Sequence, residues 1–391
     1  MYADALASPW FAALLEDLPP VELFDAHTHI GLDDPDGFRC TAEELTDALA
    51  LAGSRAVVFP MQEPAGYPAA NDRVLAAAAA SEGRLVAFCR LDPARGAVRE
   101  AERCLAAGAR GLKLHPRAEA FSLADRPVAD IFAVAHERRL PVIIHAGRGI
   151  PALGRHILGL SARFPDARPI LAHAGVSDLA WIWRHLDDHP GVFFDTAWWH
   201  PVDLLALFAL VPPGRILFAS DTPYGTPVSS AVLSLRCAVQ AGLTAEQLEA
   251  VAGGQLRRLL AGDPPLDLGP APGPAGVAPD VLLERVYSLL VSGIARAMAG
   301  DESDEGVALA RLACEVGESA PQAPACRSVL ALLERYERFA GEARRLADAH
   351  GGPGRRFPGL HLLVLAAAVA RTPAAGLPAM PEPVAVGERE A

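Results

Sequence analysis

Between residue 21 and about residue 262 the chain alternates eight short apolar or β-branched runs with alanine-rich segments of helical period, and no other feature restricts its fold so tightly. The runs are VELFDAHTHI, SRAVVFP, RLVAFCRLDP, ARGLKLHP, LPVIIHAG, RPILAHAG, GVFFDTAWW and RILFASDTPYG. Between them lie segments such as TAEELTDALALAG, ARGAVREAERCLAAG, VADIFAVAHERR and DLAWIWRHLDDHP. Several open on Thr or Asp in an N-cap role or close on Gly in a C-cap role. This alternation is the pattern of βα units and a parallel sheet. Eight repeats in roughly 240 residues match the size of a (β/α)8 TIM barrel. A doubly wound sheet would more often carry GxGxxG after its first strand, and none follows VELFDAHTHI.

The barrel pattern stops near Gly262. Residues 263–279, DPPLDLGPAPGPAGVAP, hold six prolines and three glycines and read as a semi-rigid linker. Helical period then returns. Val329, Leu332, Leu333, Tyr336, Phe339, Ala340, Ala343 and Leu346 fall on one face of a single helix, and VLLERVYSLLVSGIARAMA and LHLLVLAAAVA read as further helices. The expected organisation is a barrel over 1–262, the linker 263–279, a C-terminal all-helical extension over 280–371 and a flexible Pro-rich tail over 372–391. The amphipathic helices of the extension suit a homo-oligomer contact. No catalytic constellation is legible in it.

Composition narrows the function classes. Half the residues are apolar and about a fifth charged, which supports a sizeable core and excludes global disorder. A balance of 35 basic to 47 acidic residues, net charge -12, repels phosphate backbones and anionic lipid, so neither nucleic acid nor a membrane surface is an expected partner. The opening segment MYADALASPWFAALLEDLPP has no basic n-region, and the apolar run LHLLVLAAAVA is well short of the ~20 residues of a membrane span. A soluble, cytoplasmic protein is expected. The six cysteines form no CxxC pair, so buried free thiols are expected in place of a thiolate metal site or a disulfide framework.

In a barrel the chemistry sits at the carboxyl ends of the strands. His27 and His29 end the first run, Lys113 and His115 the fourth, His145 the fifth, His173 the sixth and Asp221 the eighth. Residues i and i+2 of a strand share a face, so His27 and His29 project together into the mouth while Thr28 points to the surrounding helices. His145 and His173 both stand in HAG, where the glycine lets the chain turn away. Each signal alone is weak, but five of the twelve histidines at one end of the strands, with a lysine and an aspartate, are hard to attribute to packing, since buried ionisable groups need partners. Imidazoles with a carboxylate suit a borderline divalent ion such as Zn2+, which lowers the pKa of a bound water toward ~7. A carboxylate then serves as general base and a nearby histidine as acid.

Other residues admit two readings. His136, His156, His185 and His189 fall on expected outer helices and read as solvated or packed. His115 suits substrate contact and strand-end packing equally. Arg90, Arg117 and Arg148, at or just past strand ends, suit a substrate carboxylate or surface ion pairs. Trp198, Trp199 and His200 could wall the pocket or pack at the rim.

The motifs DAHTHI, GLKLHP, IIHAG, LAHAG and FASDTPYG, followed by LTAEQLEAVAGGQLRRLL, resemble the amidohydrolase superfamily. Within it they are similar to the amidohydrolase-related branch that includes aminocarboxymuconate-semialdehyde decarboxylase and related aromatic-acid decarboxylases. The likeness covers residues 21 to about 262. It implies a (β/α)8 barrel with a catalytic divalent metal, usually zinc and sometimes manganese. It implies further that His27, His29 and His145 are ligands, Asp221 a ligand and proton acceptor, and His173 the acid/base or second-metal residue. Lys113 matches the place of the carbamylated lysine of binuclear relatives, so one or two ions remain open. The closing motif departs from the pattern, with Gln255 and Leu256 where Asn and Ala are usual, and the helical extension is no part of the family core. The implied reaction is hydrolysis of a C–N or C–O bond of a small, acidic molecule, with two alternatives: decarboxylation at the same site, and a non-catalytic metal-binding module.

Overall fold

The computed structural model describes residues 4–299, 305–350 and 359–375. They form two compact units, one over Pro20–Ala278 and one joining residues 4–19 to the segment that begins at Pro279.

The first unit is the expected barrel. Its strands are β1 (Phe24–Ile30), β2 (Arg55–Pro60), β3 (Leu85–Ala87 and Cys89–Arg90), β4 (Leu112–Leu114), β5 (Pro141–Ile144), β6 (Arg168–Leu171), β7 (Phe193–Asp195) and β8 (Ile216–Leu217). All pair in parallel with their sequence neighbours. β3 is split at Phe88. The Phe88 amide stays on β2, at 2.9 Å from the Val58 carbonyl, while the Cys89 amide turns to the Gly111 carbonyl of the next strand, at 3.1 Å. Gly111 is needed here, because a Cβ on it would stand 2.5 Å from the Phe88 ring. β1 and the chain just past β8 close the cylinder: the Ala26 amide donates to the Phe218 carbonyl, His29 to Thr222 and Asp221 to His27, all at 2.8–2.9 Å.

Strand alternation sorts the apolar side chains. Val57 and Phe59 join Ile143, Ile170, Phe193 and Leu217 in one cluster. Ala56 and Val58, one residue out of phase, join Leu45 and Leu49 of the helix Ala42–Leu51 in another. That helix starts in a capping box: Thr41 Oγ1 accepts from the Glu44 amide at 3.1 Å, and Glu44 Oε2 accepts from the Thr41 amide at 2.8 Å. The expected helix in DLAWIWRHLDDHP is instead one α-turn, Leu179–Ile182, followed by the 3-10 segment Trp183–Asp188. The N-cap candidate Asp178 is spent elsewhere, its Oδ2 accepting from the Gly154 amide at 2.8 Å.

Two boundaries differ from the sequence reading. The Pro-rich segment after Gly262 lies along the barrel unit, with the Gly273 amide on the Ala209 carbonyl and the Leu266 amide on Gln255 Oε1, both at 3.0 Å. Gln255, the departure in the closing motif, is fully buried and anchors this segment. The helix Asp4–Asp17 belongs with the C-terminal helices instead of the barrel, burying Trp10, Phe11 and Leu14 and stacking Trp10 under the Arg335 guanidinium at 4.4 Å. That second unit also holds the helices Val281–Met298, Glu305–Ala313, Ala323–His350 and Leu360–Arg371. Val329, Leu332, Leu333 and Ala340 are buried on one face as expected. The side chains of Ala343 and Leu346, and the tail beyond residue 375, lie outside the described residues. Among the described residues no helix is long and apolar enough to cross a membrane, and all six cysteines are free and buried.

Candidate metal centre

β1 delivers His27 and His29 to the carboxyl end of the barrel on the same face, with their Nε2 atoms 3.2 Å apart. Asp221 arrives from the turn after β8. Its backbone is left-handed, with φ 61°, and its Oδ1 stands 3.2 Å from His27 Nε2 and 3.1 Å from His29 Nε2. Lys113 Nζ from β4 is 3.3 Å from His27 Nε2 and 4.6 Å from the centre of the Phe59 ring. Thr28 faces the other way, donating to the Val57 carbonyl at 2.7 Å. One oxygen and two ring nitrogens thus meet within 4.8 Å of one another.

His173 stands beside this trio. Its Nδ1 is 2.7 Å from the Ala197 carbonyl and 3.9 Å from Asp221 Oδ2, and its Nε2 is 2.9 Å from His145 Nδ1. His145 in turn stacks on His115, ring centres 3.8 Å apart and 10° from parallel. The two HAG glycines have different duties. Gly175 follows His173 and Ala174 in a left-handed turn, with φ 58°, 55° and 61° in succession, whereas Gly147 leaves room for an imidazole, since a Cβ there would lie 2.7 Å from His145 Nε2. His145, which the sequence groups with His27 and His29, is therefore not in the three-atom cluster. Its ring direction is set by His115 and His173.

Burial governs the charges. It pushes His27 and His29 well below the usual imidazole range, and Lys113 nearby lowers both further. Burial lowers His145 and His173 in the same direction. Lys113 is itself brought down to about 7 by burial and by Arg90, against the pull of the nearby acids. Asp221 is pushed up to about 6 by burial, opposed by His173 and Lys113. Neutral imidazoles with one nitrogen committed as donor leave the other as a lone pair. His27 Nδ1 faces the Asp195 carboxyl at 2.8 Å and His29 Nδ1 faces the Pro60 carbonyl at 3.4 Å, and a proton on each Nδ1 leaves the corresponding Nε2 as an acceptor.

Arg90 and Arg148 have different surroundings. Arg90 is 2% exposed and paired with Glu119 at 2.8 Å, so its charge is neutralised before any substrate arrives. Of the two readings of Arg90, substrate carboxylate or ion pair, the structure shows the ion pair, buried instead of at the surface. Tyr67 donates to the same Glu119 oxygen at 2.5 Å. Arg148 is exposed, with its guanidinium 5.5 Å from the centre of the Trp198 ring. Trp198 is edge-on to His173 at 6.0 Å and donates to Asp203 at 2.6 Å. His115 is a stacking partner of His145 whose Nδ1 accepts from the Ala118 amide at 3.1 Å.

The sequence of residues 24–260 matches the amidohydrolase family. The chain belongs to this family. Amidohydrolases of this kind depend on a divalent metal. No curated protein matches the chain by sequence. Among solved structures, an uncharacterized TIM-barrel protein from Bordetella bronchiseptica is 17% identical with a TM-score of 0.51, covering 62% of this chain and 99% of its own. 5-Carboxyvanillate decarboxylase from Sphingomonas paucimobilis is 16% identical with a TM-score of 0.50, covering 62% and 99%. 2,6-Dihydroxybenzoate decarboxylase from Rhizobium is 15% identical with the same TM-score and coverage. At these identities the likeness is one of fold.

The donor set suits the ion that amidohydrolases require. Two imidazole lone pairs and a carboxylate oxygen at 3.1–3.2 Å repel one another unless a cation sits among them. Those separations approach the ~3.4 Å edges of a tetrahedron with bonds of ~2.1 Å.

Sequence reasoning missed two residues of this amidohydrolase mouth. Asp195 at the end of β7 is fully buried, and its Oδ2 lies 2.8 Å from His27 Nδ1. Its signal was present, an aspartate in GVFFDTAWW at the same strand end as the other residues. Glu119 comes from the irregular segment after β4 and carried no periodic signal.

Proposed function

We propose that this chain is a metal-dependent hydrolase that cleaves a C–N or C–O bond of a small, acidic molecule, with His27, His29 and Asp221 holding one divalent ion of the zinc class. The single observation that carries the reading is the meeting of His27 Nε2, His29 Nε2 and Asp221 Oδ1 within 4.8 Å at the carboxyl end of the barrel. A bound divalent ion supplies Lewis acidity and lowers the pKa of a water toward ~7.

The chain's own residues do the rest. Asp221, a fifth exposed at its side chain, is the proton acceptor. The proton that Asp221 takes from the attacking water is handed on to the leaving group, beside His173, whose ring is anchored on the Ala197 carbonyl and lies 3.9 Å from Asp221 Oδ2. Lys113, buried beside His27, faces the developing negative charge. Arg148 over Trp198 is the cation available to a substrate carboxylate.

One observation favours a second reading. A flat indole carrying an exposed guanidinium and set edge-on to His173 also suits the ring and carboxylate of an aromatic acid, which would make the enzyme a decarboxylase. Metal analysis followed by a panel of amides, lactones and aromatic acids separates the two, provided released carbon dioxide is followed apart from hydrolysis products. The expected result is one equivalent of divalent ion with turnover of an acid-bearing amide or lactone. Carbon dioxide release without hydrolysis selects the second reading, and stoichiometric metal without any turnover sinks both.

A further inference from the structure

We propose that Asp195 is the positioning residue of the metal centre. One of its oxygens selects the ring nitrogen that His27 turns toward the ion, and the other holds the turn that carries His173. The inference rests on reading His27, His29 and Asp221 as ligands.

Asp195 closes β7 and is wholly buried. Its Oδ1 accepts two backbone amides, from His173 at 2.8 Å and Ala197 at 3.0 Å, and its Oδ2 stands 2.8 Å from His27 Nδ1. With Oδ1 committed to the two amides, Oδ2 is the oxygen left to take the His27 Nδ1 proton, which keeps the lone pair on Nε2. Nε2 is the atom that faces His29 Nε2 and Asp221 Oδ1. A proton there would point into the cluster and remove the ligand.

The second oxygen acts on the backbone. His173 and Ala174 lie in a left-handed conformation that residues with a side chain rarely adopt. The first amide of that turn is tied to Asp195, and the Ala197 carbonyl that anchors the His173 ring belongs to a residue whose amide is on the same oxygen. Residues from β1, the turn after β6 and the turn after β7 therefore share one anchor.

Asp195→Asn separates the two duties. The two amides keep the variant's acceptor oxygen at the Oδ1 position, so the new NH2 faces His27 Nδ1 as a donor. His27 must then accept on Nδ1 and carry its proton on Nε2. Zn2+ affinity of the metal-free protein, read by competition with a chromophoric chelator, is expected to fall ~10–100-fold. Circular dichroism and the melting curve of the metal-free variant should stay close to wild type. Nitrogen NMR of histidine-labelled protein, with the His27 signals assigned by His27→Gln, should show Nδ1–H in wild type and Nε2–H in Asp195→Asn. A folded Asp195→Asn variant with undiminished Zn2+ affinity overturns the inference and leaves the ligand reading intact. Should the variant not fold, the wild-type spectrum decides alone, because Nε2–H on His27 is incompatible with the proposal. Wild-type protein that binds neither Zn2+ nor Mn2+ refutes the ligand reading itself.

Discussion

The barrel and the helical unit spend their interiors differently. In the barrel, Asp25, Arg90, Lys113 and Asp195 are all at most 2% exposed, and most of this buried charge lies at the carboxyl ends of strands, around His27 and His29. In the helical unit, the buried polar and charged side chains among the described residues are Asp4, Ser328 and Thr372. Its ion pairs Arg311–Glu337 at 2.8 Å and Arg296–Glu305 at 3.0 Å are on the surface, while Arg371, paired with Glu284, has a largely buried side chain. Burying a charge costs several kcal/mol after relaxation unless it is well paired. The barrel gathers several such groups around His27 and His29, whereas the helical unit buries Asp4 and the Arg371 side chain singly.

The contrast can be broken most directly at the ligands. His29→Ala and Asp221→Ala should each weaken Zn2+ binding by more than ~100-fold, beyond the range of an outer-shell change. Core truncation in the helical unit, Leu363→Ala, should cost about 3 kcal/mol of that unit's stability and leave metal content unchanged. If Leu363→Ala strips the metal, the two regions are not functionally separate.

Close backbone approach gives the next effects. A Cβ on Gly225, in the turn after Asp221, would stand 2.1 Å from the Ser220 carbonyl oxygen, so Gly225→Ala should destabilise the barrel by about 3 kcal/mol in denaturant titration. In the helical unit Gly293 and Gly306 face each other across two helices, but not equally. A Cβ on Gly306 meets Gly293 Cα at 2.9 Å, whereas one on Gly293 meets Gly306 Cα at 3.7 Å. Gly306→Ala should lower the melting temperature, and Gly293→Ala should raise stability by up to ~1 kcal/mol through helix propensity.

The smallest effect is a cap. Asp280 accepts from the Leu282 and Leu283 amides at 2.9 and 3.1 Å, and Asp280→Ala should cost about 1 kcal/mol. Its carboxyl is held below the ordinary range, first by the Gln322 amide and then by the backbone. A lowered folded pKa means that this stabilisation is complete above about pH 4, the unfolded carboxyl value, and is lost as the pH falls through the folded value. Between pH 7 and pH 5 the melting difference between Asp280→Ala and wild type should therefore hold constant.

Much of the site could be read in advance because it follows local rules. A two-residue strand period carries His27 and His29 to one face, and strand ends carry Lys113 and Asp221 to the same rim. What failed to be read depends on contacts distant in the chain. The partner that settles the ion-pair reading of Arg90, Glu119, comes from a different loop. The direction of the His145 ring follows from its stacking on His115 and its bond to His173, from two other strand ends. The helix Asp4–Asp17 looks like a barrel preface until its Trp10 is found under Arg335.

The amino-acid sequence by itself determined the number of βα units, the end of the strands that bears the chemistry and the donor types found there, because periodicity and residue type act over a few neighbouring residues. Tertiary structure alone decided which nitrogen of each imidazole faces inward, which cation is already paired and which helices share a core. Those outcomes depend on partners that closure of the cylinder and packing of the helices bring together from tens to hundreds of residues away.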